Sequence, residues 1–69
     1  MPTVDDVKKN LPAGVSAPAI RAFAAEGLHT LQDFTTVTEQ HVRGLHGVGP
    51  KVVRIITEAM TREGLSFKL

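Results

Sequence analysis

Cysteine, tryptophan and tyrosine are missing from this chain of 69 residues, and phenylalanine occurs only at Phe23, Phe34 and Phe67. Without cysteine there are no disulfides and no thiolate metal sites, and nothing points to secretion. So few rings give no platform on which the bases of a single nucleic-acid strand would stack. No apolar run approaches the ~18 residues needed to cross a membrane. The start, Met1-Pro2-Thr3-Val4-Asp5-Asp6, is acidic and polar, unlike a signal peptide, so the cytoplasm is the expected compartment. A chain this short allows one domain, residues 1–69, near the lower limit for folding without staples.

Acids are scarce in two windows. None lies between Asp6 and Glu26, where Lys8, Lys9 and Arg21 occur. None lies between Glu39 and Glu58, where Arg43, Lys51 and Arg54 occur with His41 and His46. The net charge is only +1, yet six of the eight basic residues fall in these windows, each centred on a glycine-containing turn. Local patches, not the total, set the attraction for a polyanion. Lys8 and Lys9 are better explained as helix-end cations that complement the backbone dipole, and Arg43 can also be explained in that way.

Catalysis and metal binding find little support. Asp5 and Asp6 are adjacent and belong to a helix start, and Ser16, the one serine near a turn, has no base to activate it. His29, His41 and His46 do not repeat at helical spacing and have no carboxylate pair to complete a zinc site. The expectation is a protein that is not an enzyme and carries no metal or cofactor.

The most informative stretch is Leu45-His46-Gly47-Val48-Gly49-Pro50-Lys51, followed by the apolar and basic run Val52 to Met60. Glycine tolerates positive φ and leaves no Cβ in the way of a neighbour. Proline suits the first helical position, where the N–H has no partner in any case. Such a turn leaves free N–H groups at the positive end of a helix, an arrangement that holds phosphate. Lys51 adds a full charge, and Arg54 follows one turn later. These two read equally well as phosphate contacts or as solvated surface charges. His46 lies in the turn and is a candidate contact when protonated.

Along the chain, Thr3 with Asp6 reads as a capping box for a first helix ending near Asn10. Leu11 to Ser16 breaks it. Ser16 caps a second helix that runs to Glu26 with Ile20, Phe23 and Ala24 on its buried stripe, and Gly27 ends it in the left-handed conformation. Thr30 with Asp33 caps one short turn carrying Leu31 and Phe34, and Thr38 caps a helix through Arg43 that Gly44 closes. The longest helix, Pro50 to Glu63, puts Val52, Val53, Ile56, Ala59 and Met60 at core spacing before Gly64-Leu65 ends it. Residues 66–69 form a tail whose Phe67 is placed to pin back on the core. Five helices and no strand make the fold class all-α.

A repeat runs through this order. Gly14-Val15-Ser16 matches Gly47-Val48-Gly49, and Arg21 falls on Arg54 at the same offset. Glu26-Gly27-Leu28 matches Glu63-Gly64-Leu65 one helical turn later. Gly14, Val15, Ser16 and Arg21 are therefore second-rank candidates in a degenerate first copy, where Ser16 stands in place of the second glycine.

The 45–51 stretch resembles the hairpin of the helix-hairpin-helix family, with His46 where that family often has proline and Val53 where it often has alanine. Residues from about Leu11 to Phe67, including Gly27 to Phe34, Thr38-Glu39 and Arg62 to Phe67, resemble the C-terminal domain of the bacterial RNA polymerase alpha subunit. The resemblance implies a compact five-helix domain of two helix-hairpin-helix units joined by a short helix, a SAM-like architecture. Its hairpins would span about residues 11–17 and 44–51. It implies contact between hairpin amides and phosphates of double-stranded DNA along the minor groove, with Gly49 and Lys51 matching the polymerase domain's glycine and lysine. The groove-reading arginine of that domain falls at about Pro18, and a neighbouring asparagine on Arg21, so binding without sequence preference is the expectation. A role accessory to transcription, repair or nucleoid organisation would follow. The competing expectation is a protein-interaction module of a larger assembly, since fold alone does not fix function.

Overall fold

Helix positions follow from caps and stops that can be named. A computed structural model describes residues 4–69. Helix α1 spans Val4–Asn10, α2 Ala17–Ala25, α3 Glu39–Arg43 and α4 Pro50–Arg62, and a 3-10 helix covers Leu31–Thr36 between α2 and α3. No strand occurs among the described residues. The first helix carries Asp5 and Asp6 in its first turn and Lys8 and Lys9 in its last, each sign at the end the dipole favours. Thr3, expected to cap it, lies outside the described residues.

The Ser16 hydroxyl accepts from the Ala19 N–H at 3.4 Å and starts α2. Thr38 Oγ1 does the same for the His41 N–H at 3.0 Å and starts α3. Helices α2 and α4 end alike. After α2, Gly27 at φ +76° lets Leu28 N–H reach back to the Phe23 carbonyl at 2.8 Å. After α4, Gly64 at φ +73° lets Leu65 N–H reach the Met60 carbonyl, also at 2.8 Å. Both stops satisfy carbonyls that a helix end otherwise leaves unpaired. The helices stop at Ala25 and Arg62, with Glu26 and Glu63 as the cap residues rather than the last helical ones.

The 3-10 helix is longer than the single turn the sequence indicates. Asp33 Oδ2 accepts from the N–H groups of His29 at 2.9 Å and Thr30 at 3.0 Å and fixes its start. The hydroxyls of Thr35 and Thr36 then donate to the carbonyls of Gln32 and Asp33, each at 2.7 Å. Bonds that reach back three residues hold the tighter winding through Thr36.

Helix α1 packs on α2, and α4 packs on both α3 and the 3-10 helix. The core they enclose is wholly apolar, with Val7, Phe23, Phe34, Val42 and Ile56 at 0% exposure and no buried polar residue among those described. All five expected core positions of α4 are buried. On α2, Ala19 is fully buried and Ala24 only half-buried, so the stripe lies one turn nearer the helix start than Ala24 implies. Phe34 sits at the centre, edge-on to Phe23 at 5.0 Å and to Phe67 at 6.3 Å. The tail is held there by Phe67 and by a bond from Lys68 N–H to the Val37 carbonyl at 2.9 Å. The radius of gyration is 10.6 Å, against about 11 Å for a compact domain of this length.

Candidate nucleic-acid interface

Two turns present the residues in question: Leu11 to Ser16 between α1 and α2, and Gly44 to Gly49 between α3 and α4. They share one backbone course. Gly14 and Gly47 take φ +96° and +90°, and the residues two further on, Ser16 and Gly49, are both extended N-caps. Beyond the caps the same offset pairs Ala19 with Val52, Ile20 with Val53 and Phe23 with Ile56, all buried, while Arg21 and Arg54 are both exposed.

The two turn glycines are also locked to the opposite half of the molecule. A Cβ on Gly14 would lie 2.9 Å from Ile55 Cδ1 on α4. A Cβ on Gly47 would lie 3.1 Å from both Cβ and the carbonyl oxygen of Pro18 on α2. Each turn therefore rests on the helix that follows the other.

The paired glycines of the second turn play different parts. Only Gly47 uses a positive φ; Gly49, at φ −97° and ψ 173°, adopts extended backbone open to any residue, and nothing lies within 4 Å of the Cβ it lacks. Neither conformation nor packing calls for glycine at 49. Ser16 occupies the equivalent backbone in the first turn and closes one helix donor with its hydroxyl. Gly49 makes no such cap.

Donors in the second turn divide in two. Val48 N–H turns inward to the Leu45 carbonyl at 3.2 Å, and Val53 N–H is taken by the Gly49 carbonyl. The N–H groups of Gly47, Gly49, Lys51 and Val52 have no acceptor among the described residues. Three of these four mark the N-terminal end of the 13-residue helix α4, where the dipole is positive. Val48 itself is half-buried and packs against the core.

Lys51 and Arg54 are exposed on α4, Arg21 on α2 and His46 in the turn. No carboxylate pairs with any of them among the described residues. The two ion pairs present lie elsewhere. His41 Nε2 meets Glu26 Oε1 at 2.7 Å, tying α3 to the end of α2, and Arg43 Nε stands 3.6 Å from Glu39 Oε2 within α3. Arg43 also lines a depression of about 160 Å³ with Val48, Gly49, Pro50 and Val53, beside the open helix start. The sequence places it in the basic window around this turn but not at the helix start itself, because that proximity comes from how α3 meets α4. No group of three or more His, Asp or Glu among the described residues is arranged to hold a metal ion, and no helix there is long and apolar enough to cross a membrane. No protein-family model matches this chain, and no curated protein or solved structure is significantly similar to it.

Proposed function

We propose that this chain is a tandem helix-hairpin-helix domain that binds double-stranded DNA without sequence preference, through backbone phosphates along the minor groove. The observation that carries the reading is the uncapped start of α4. Gly49, Lys51 and Val52 leave their N–H groups open, at a residue where neither backbone nor packing requires glycine, beside a lysine with no carboxylate partner. A missing side chain is of use there to something that approaches the backbone from outside, and a phosphate oxygen fits both the donors and the charge. The first turn contributes Gly14, Val15, Ser16 and Arg21 more weakly, since Ser16 already fills one donor with its own hydroxyl.

Contact from both turns and their flanking cations amounts to about four to six phosphates, which gives a log–log salt slope of about −4 to −5. Affinity is expected to be weak, with Kd on the order of 10⁻⁴–10⁻⁶ M at physiological salt. The test is a titration of a short duplex into isotopically labelled protein. Amide resonances of Gly47 to Lys51 and of Gly14 to Ala17 are expected to move together, and Lys51→Glu is expected to abolish the response while leaving the fold intact. A folded Lys51→Glu variant that binds duplex like the parent sinks the reading. An undisturbed spectrum returns the chain to the class of protein-interaction modules.

A further inference from the structure

We infer that Arg43 is a further phosphate contact of the second turn, its pull partly offset by the charge of Glu39; the inference rests on the DNA reading above. Arg43 is the last residue of α3, with a side chain 62% exposed. It borders the same depression as Gly49 and Pro50, which places it beside the open start of α4. Its only carboxylate neighbour among the described residues is Glu39, and at 3.6 Å the pair is too long for a hydrogen bond. The guanidinium fork is thus unspent. An exposed ion pair of this kind contributes little, whereas a phosphate accepts two parallel N–H bonds from the same group.

Glu39 gives the arrangement its second feature. With Glu58 it is one of two acids lining the groove of about 290 Å³ that runs past Arg43, Pro50, Val53 and Arg54. Its position at the start of α3 suits the helix dipole, but it also lowers the positive potential where a strand would lie. A bound phosphate competes with Glu39 for Arg43, so the acid sets the affinity of the site below what its cations alone would give.

The experiment measures Kd for a labelled duplex at two salt concentrations with the parent, Arg43→Ala, Glu39→Gln and the double variant, and with Lys51→Glu in parallel. Losing one phosphate contact makes the salt slope shallower by about 0.9, so the ratio of Kd at about 200 mM to Kd at about 50 mM falls about 3.5-fold in Arg43→Ala. Glu39→Gln is expected to tighten binding, and to do so more with Arg43 present than with alanine in its place. A general loss of repulsion would tighten both backgrounds alike, and that outcome overturns the coupling. A parental salt slope in Arg43→Ala, with binding lost in Lys51→Glu, overturns the role of Arg43 and leaves the DNA reading standing. Parental binding by Lys51→Glu removes both.

Discussion

Replacing Gly47 by alanine places a methyl group where two independent costs meet. The residue has φ +90°, in the region where a Cβ costs roughly 1–2 kcal/mol. The new Cβ would also lie 3.1 Å from the Pro18 Cβ and carbonyl oxygen and 3.2 Å from its carbonyl carbon. Two of those atoms are backbone and the third belongs to a ring in the first turn of α2, so none can swing aside. Overpacking of this sort costs about 1–3 kcal/mol, while the stiffer unfolded chain returns about 0.4–1 kcal/mol. The net expectation is a loss of about 1–4.6 kcal/mol, centred at about 3 kcal/mol. Gly27 and Gly64 are internal standards, because both have positive φ and nothing within 4 Å. Alanine at either is expected to cost about 1 kcal/mol or less. Gly14→Ala falls between, since its obstacle is the flexible end of Ile55. With no tryptophan or tyrosine in the chain, urea unfolding is best followed by far-ultraviolet circular dichroism, with equal m-values as the check on two-state behaviour. A total stability of about 3.5–10 kcal/mol for a domain of this size leaves room to measure the difference. Should Gly47→Ala prove no worse than Gly64→Ala, the second turn does not rest on α2 as described.

Gly49→Ser tests function against stability at a neighbouring position. A serine hydroxyl caps the open N–H groups of α4, so unfolding in urea is expected to shift upward by a few tenths of a kcal/mol, while duplex affinity falls; unchanged affinity would show that those donors are not the contact. Phe67→Ala is expected to cost about 1–2 kcal/mol for a half-buried ring, clearly less than the roughly 3–5 kcal/mol of Phe34→Ala. The same unfolding measurement reads both, and the reverse order would contradict the placement of Phe34 between the other two rings.

Local chemistry was the readable part of this sequence. The stops at Gly27 and Gly64, the caps at Ser16 and Thr38 and the Thr30–Asp33 pairing each depend on residues within a few positions, and the structure has them where the pattern indicates. The apolar stripe of α4 was equally plain, because four medium or large side chains fall at helical spacing together with Ala59. Small side chains carried less information. Periodicity cannot choose between Ala19 and Ala24, and the choice is made by the α1–α2 contact and the surrounding core. The length of the 3-10 helix depends on two threonine hydroxyls whose bonds a sequence pattern does not declare. At the candidate site, the motif names both glycines but not which one needs its conformation. The backbone angles and the contact with Pro18 separate Gly47, held by its fold, from Gly49, which is not. Arg43 beside Gly49 and His41 beside Glu26 arise where separate helices meet, and no local rule joins them.

The seating of Gly14 against Ile55 and of Gly47 against Pro18 has a mechanical consequence. Each turn bears on the helix that follows the other, firmly at Pro18 and through a flexible side-chain end at Ile55, so the pair resembles two jaws of one gauge rather than two fingers on separate hinges. On the proposed duplex reading, a strand spacing that suits one jaw but not the span between them is held less tightly, and selection by width requires no side chain that reads a base.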